Sequence, residues 1–266
     1  MNTKESNKIK LSEQNQVKKK FNLLLVISII VFSFSYLRIQ PWKVIASFPT
    51  LLPFFFQNFF PPNFANINLH FSAVLDTLLF AIVATYISSF LAFLLGILMS
   101  ENVNPFPLLR GLIRFFVSFL RNVPVLIWVF LLIFIFGVGN LVGLLALVLS
   151  SLGFLARSYS ESIDEIVNQR LESLQGMGAS QLQILIHGII PEFIPAWVNW
   201  TLFSFEINIR ASAMLGMVGA GGIGFIIQTH LNLRNFREAS SLILILIAMV
   251  LLTEFFVNLI RKKLNL

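Results

Sequence analysis

The chain has no cysteine, which excludes disulfides, thiolate metal sites and a cysteine nucleophile. It is equally short of charge. Nineteen Lys and Arg with twelve Asp and Glu make only 12% of the 266 residues, about half the roughly 25% usual in a soluble domain. So few charges cannot cover a water-facing surface, so a soluble enzyme, a DNA-binding domain and a disordered tail are excluded for the whole chain. The three histidines, His70, His187 and His230, are dispersed along the sequence, and no metal site is expected from them. A Gly-x-x-x-x-Gly-Lys phosphate loop is missing too, so ATP has no usual route of binding here. What the chain does have is apolar bulk: 57% hydrophobic residues, 29 Phe and a mean hydropathy of +0.84. The apolar residues fall in long runs. These observations describe an all-α protein that crosses a membrane several times.

A spanning helix needs about 20 apolar residues, because a hydrocarbon core of about 30 Å is climbed at 1.5 Å per residue. Six stretches qualify. After a basic tail over residues 1–20, the first runs over 21–37; a signal peptide would look similar, with Ser33 and Ser35 near a cleavage point. An uncleaved anchor is favoured, because the rest of the chain is itself embedded. Residues 38–70, rich in Pro, Phe and Asn, are expected to lie on the outer membrane surface. A core over 71–260 then holds spans near 72–99, 108–136, 141–156, 195–216 and 239–260. No charge occurs from Asn122 through Ala156, and Gly137-Val-Gly139-Asn140 has a turn composition. The third and fourth spans therefore read as a hairpin.

Basic residues orient the chain, since Lys and Arg accumulate on the cytoplasmic side. With the N-terminus inside, the six tail lysines, Arg110, Arg114, Arg121, Arg157, Arg170, Arg261, Lys262 and Lys263 all fall inside. Only Arg38, Lys43, Arg234 and Arg237 fall outside, and Arg210 lies within a span. Both termini, including the tail at 261–266, are then cytoplasmic. The basic N-terminal tail is read as a topology signal that touches anionic lipid, rather than as a nucleic-acid site.

One long polar segment, 157–192, remains on the inside. Ile163, Ile166, Val167, Leu171, Leu174, Leu182, Leu185 and Ile186 recur near helical spacing within it. The expectation is two short amphipathic helices meeting at Gly176-Met-Gly178, with Pro191 marking the return to the membrane. About 35 residues is long for a plain connector, and an apolar stripe suggests docking. Glu172-Ser-Leu, three residues, Gly178, nine residues, then Gly188-Ile-Ile190-Pro191 resembles the EAA loop of permease subunits of bacterial ABC importers. Glu172, Gly178 and Pro191 match that pattern in identity and spacing, while Ser173, Leu174 and Gly188 depart from it.

The likeness narrows outside the loop. Ser160-Glu-Ser-Ile-Asp-Glu-Ile166, Leu171 to Gln183, Glu206-Ile-Asn-Ile-Arg210-Ala-Ser212 and Leu215 to Gly224 are similar to phosphonate-type permeases, as is Arg121-Asn-Val-Pro-Val-Leu-Ile-Trp128. Methionine-type permeases share the Gly-Ala-Gly-Gly segment and an EAA loop, so the Glu206 to Arg210 segment discriminates best. The resemblance implies a six-helix permease of the MetI-like, type I importer architecture in the bacterial inner membrane. It also implies a separate ATPase that binds ATP and Mg, a periplasmic or lipid-anchored substrate-binding protein, and a second permease copy as the other half of the pathway. Glu172, Gly176, Gly178, Ala179 and Pro191 would then couple to the ATPase, and the chain itself would hold no catalytic residue. The cargo implied is a phosphonate- or phosphite-class oxyanion. A methionine or other small-solute permease, and a secondary transporter or channel working without an ATPase, stand as alternatives.

Individual residues carry two readings each. Glu206 and Arg210, four apart, share a helix face and can pair; they are either a structural pair or part of the translocation path, with Ser212. Asp76, with Thr77, either caps the second span or touches substrate. Gly219, Gly221, Gly222 and Gly224 superficially resemble a dinucleotide fingerprint, but they follow a membrane span rather than a strand. A bend at the outer mouth, a gate or hinge, is the favoured reading.

Overall fold

The computed structural model describes residues 3–38, 40–101, 103–176 and 183–264, with side chains described for 18–167 and 183–264 apart from 39, 44 and 102. The chain separates into two compact units, residues 1–57 and 58–266. The first holds α1 (Thr3–Tyr36) and nearly all of α2 (Pro41–Phe59). The apolar part of α1, Lys18–Tyr36, has the length of a membrane span. Within α2, Pro49 and Pro53 each remove a backbone donor, yet the helix continues. This helix was not expected from a segment so rich in proline.

The second unit begins with α3 (Ile67–Met99), whose buried face is built almost entirely of small residues: Thr77, Ala81, Ala84, Thr85, Ser88, Ser89, Ala92 and Gly96. Lipid tails are as apolar as leucine, so helices in a bilayer associate by close packing and hydrogen bonds rather than by hydrophobic burial. Small side chains let α6 (Asn140–Gly176) approach along this face. Neutral polar groups then join the helices. Ser88 Oγ donates to the Val148 carbonyl at 3.0 Å. Ser151 Oγ donates to Asn208 Oδ1 at 2.8 Å, and Asn208 Nδ2 donates to Thr85 Oγ1 at 2.9 Å. Toward the other end, Trp197 Nε1 donates to Ser89 Oγ, which also meets the hydroxyls of Tyr159 and Thr201.

The expected third span, 108–136, is not one helix. It is α4 (Pro107–Asn122) followed by α5 (Val125–Phe136), bent by 94°. Pro124 has no N–H to continue the ladder and forces Val123 out of helical conformation, to φ −82 and ψ 116. The 12 residues of α5 rise only about 18 Å, short of the hydrocarbon thickness. The turn after it is as expected, with Gly137 at φ 76 leading into α6.

A second correction concerns α6. The sequence suggested a short span followed by a separate amphipathic helix, but α6 runs unbroken for 37 residues to Gly176. No proline or glycine pair interrupts the register between Ala156 and Glu172, so span and loop share one rod. The chain resumes in a π-helical turn, Ile184–Ile189, continuous with α7 (Ile190–Leu215). A second π-helical turn, Gly216–Ala220, leads to α8 (Gly222–Asn232), bent 54° from the preceding segment, and α9 (Phe236–Lys263) closes the unit. Among the described residues, four helices are long and apolar enough to cross a membrane, and up to six spans result if each bent pair counts as one.

Candidate translocation face and coupling loop

The two faces of α7 differ in kind. Ser204, Asn208, Ala211, Ser212 and Leu215 are buried among the other helices. On the opposite side Phe203, Ile207, Met214 and, in the π-helical turn that follows, Met217 are exposed, and Arg210 takes its place between them with a side chain 48% accessible. These five recur at steps of four, three, four and three residues, which keeps them in one narrow stripe. Arg210 Nη2 pairs with Glu206 Oε1 one turn earlier, and the Glu206 side chain is only 13% accessible. The sequence expectation of a shared face and an ion pair thus holds in the geometry. A charge at the centre of a spanning helix costs roughly 2.5–3.5 kcal/mol on insertion scales, so such groups turn toward water or a partner.

Ser212, grouped with this pair in sequence, points elsewhere. Its hydroxyl donates to the Ile209 carbonyl at 2.8 Å and approaches the Thr77 carbonyl at 3.4 Å. Asp76 is half-buried and lies well inside α3, whose first residue is Ile67, so it does not cap that helix. The expected N-cap position is occupied by Asn66 instead. Thr77 has the more defined role: its Oγ1 accepts the Ile223 N–H at 2.8 Å, tying the start of α8 to α3.

The glycine-rich link is where the chain turns. Gly219, Gly221 and Gly222 have φ of 101, 81 and 69, a region that side-chain-bearing residues rarely enter. At Gly221 a Cβ would also collide with the Asn140 amide oxygen, and at Gly224 with the Ala213 carbonyl oxygen. Glycine at 224 therefore permits backbone-to-backbone packing of α8 on α7, a closeness that the spacing of glycines alone did not reveal.

Of the coupling residues, Gly176 ends α6 and Glu172 lies in its last turns, with its side chain outside the described set. Gly178 and Ala179 lie outside the described residues. Pro191 is the second residue of α7, directly after the π-helical turn Ile184–Ile189. Just before the loop, α6 is tied to the end of α3 and to α4. Asp164 accepts hydrogen bonds from the Ser100 hydroxyl and, at 3.1 Å, from the Glu101 N–H. Its other oxygen lies 3.9 Å from Arg114 Nη2, and Glu101 lies 3.5 Å from both Arg110 and Arg114. In the sequence, Arg110 and Arg114 count only as inner basic residues and Asp164 only as part of the polar segment 157–192. Their long-range pairing had no local signal.

At the other end the histidines are less dispersed than their numbering suggests. The His70 and His230 rings meet edge to face at 5.2 Å, and His230 Nδ1 lies 3.0 Å from Glu238 Oε2. Among the described residues no three His, Cys, Asp or Glu gather as a metal site.

Known proteins share both sequence and architecture with this chain. Residues 92–265 match the family described as the binding-protein-dependent transport system inner membrane component. The phosphite transport system permease protein PtxC of Stutzerimonas stutzeri is 33% identical over 202 residues, which cover 76% of this chain and 74% of that protein. The phosphate-import permease protein PhnE of Mycolicibacterium smegmatis is 32% identical over 88% of this chain, but this stretch spans only 44% of that longer protein. In structure, an inward-facing form of the MetNI methionine ABC transporter aligns with a TM-score of 0.66 over 74% of this chain and 96% of the compared chain, at 23% identity. That likeness carries the fold. Sequence match and aligned fold agree, and the chain belongs to the family of binding-protein-dependent transport system inner membrane components, the permease subunits of ABC importers.

Proposed function

We propose that this permease forms the membrane pathway for phosphite- and phosphonate-class oxyanions. The observation that carries the reading is a single cation, Arg210, held half-exposed on an otherwise apolar stripe of a spanning helix. A guanidinium there offers planar donors to tetrahedral oxyanions, and the printed names of two similar permeases, for phosphite and for phosphate, point the same way. Transport is driven by a separate ATPase that binds ATP and Mg, and cargo arrives on a periplasmic or lipid-anchored binding protein. A second permease copy faces the first across the α7 stripe, and both termini are cytoplasmic, as the distribution of Lys and Arg favours. Asp76 and the link at Gly219, Gly221, Gly222 and Gly224 belong to the outer part of the pathway.

The segment from Glu172 through Gly178 and Ala179 to Pro191 docks on the ATPase. The continuity of α6 supports mechanical coupling, because a rod from Asn140 to Gly176 carries a push at the loop into the helices packed around it. ATP-driven uptake into proteoliposomes, with the partner ATPase and binding protein reconstituted alongside, tests the cargo. Saturable uptake of phosphite or methylphosphonate, indifferent to excess methionine, is expected. Uptake that persists without the ATPase would point to a secondary transporter. A Gly178→Arg change should abolish co-purification with the ATPase and reduce uptake to background while membrane insertion is unchanged; retained co-purification refutes docking.

A further inference from the structure

The Glu206–Arg210 pair is lopsided, and the asymmetry has a use in transport. The carboxylate is tucked toward the protein, with 13% of its side chain accessible, while the guanidinium stands outward at 48%. Glu206 meets Arg210 at Nη2, and among the described residues no other acceptor engages the guanidinium. Two N–H-bearing nitrogens, Nε and Nη1, therefore keep their donors available on a half-exposed side chain. Phe203, Ile207, Met214 and Met217 flank them on the stripe, with no second charge among them.

We propose that Arg210 is a transient docking point for a tetrahedral oxyanion and that Glu206 tempers it, weakening the hold so that the anion leaves within a transport cycle. This rests on the cargo reading above. A lone arginine in an apolar, low-dielectric passage would hold an oxyanion too firmly, since opposite charges attract more strongly there than in water. A fixed carboxylate one turn away repels the incoming anion and supplies a counter-charge whenever the passage is empty. The pair has no net charge at rest, so the passage needs no other ion to occupy it between cycles. Selection then comes from the geometry of the free guanidinium edge, and release comes from Glu206.

Three variants of the full complex separate this role from a purely structural bridge. In the double exchange Glu206→Arg with Arg210→Glu, the i,i+4 pair survives but the guanidinium moves by one helical turn. Assembly with the ATPase should persist, and uptake of phosphite and methylphosphonate should fall at least tenfold. In Glu206→Gln, phosphite should bind the permease–ATPase complex, without its binding protein, at least tenfold more tightly, while uptake becomes slower. Arg210→Lys keeps the charge but not the planar fork, and its uptake should lie between wild type and the double exchange.

Wild-type rates in the double exchange overturn the inference. If that chain fails to assemble, the Glu206→Gln complex decides: slower uptake with unchanged or weaker phosphite binding overturns it, and tighter binding supports it. A wild-type complex that carries no phosphorus oxyanion overturns the cargo reading and this inference together. Wild-type uptake with an undiminished double exchange overturns the inference alone.

Discussion

One face of α7 is finished within the chain and the other is not. On the inner face Asn208 accepts from Ser151 and donates to Thr85, joining α7 to α6 and α3 through neutral groups alone. Each interhelical hydrogen bond of this kind is worth only about 0.6 kcal/mol on average, but leaving the buried groups unpaired would cost more. Two residues away the outer face carries a guanidinium half-exposed among Phe203, Ile207, Met214 and Met217. Neutral satisfied groups fix a structure, whereas the proposed pathway assigns the half-exposed charge a use outside the single chain. Under the proposed pathway, the difference marks where fold ends and transport begins on the same helix.

The comparison depends on α7 being held in one rotation about its axis, and the link to α8 provides that hold. A Cβ at position 224 would collide with the Ala213 carbonyl oxygen, so Gly224→Val cannot be absorbed by a rotamer change. This substitution in α8 should have the largest effect of those considered. The packing of α8 on α7 is lost, Thr77 Oγ1 loses the Ile223 N–H, and folded protein recovered in detergent falls to background. Normal recovery with only slower uptake would make the glycine a moving hinge rather than a packing contact. Either result bears on the comparison, because a loosened α8 would let both faces of α7 turn.

The sequence made some of this legible and hid the rest for physical reasons. Spans could be read because a bilayer imposes one length on every apolar run, and the Glu206–Arg210 pair could be read because i,i+4 spacing is local. Pro124 was visible too, but its weight was not: the apolar run continues across it, so composition gave one span where the backbone makes two helices at 94°. The long α6 was missed for the opposite reason, since polar residues after Ala156 mark a change of solvent without any break in the helix. Asp164 with Arg114, and His70 with His230, join residues distant in sequence. No periodicity encodes such meetings. Ser212 illustrates the finer limit: it lies two residues beyond Arg210, and that step turns it about 200° around the helix, toward Thr77.

The sharpest test of the two faces uses adjacent residues. Leu215 is 1% accessible and packs with Ala146, Leu147 and Ala211, while Met214 beside it is 52% accessible. Leu215→Ala removes buried packing, and its expected cost is about 2–5 kcal/mol, read as a lowered unfolding midpoint of the single chain in detergent. Met214→Ala should change the same midpoint by less than about 0.5 kcal/mol. In the assembled importer the second substitution acquires a different meaning, because a residue facing a second copy or the passage becomes covered or functional only there. A loss of uptake or of permease pairing at 214, without a loss of single-chain stability, is the expected signature of an unfinished face. Equal destabilisation at 214 and 215 would show that both faces are already packed within one chain, and the guanidinium on the outer face would then have to be explained as structure.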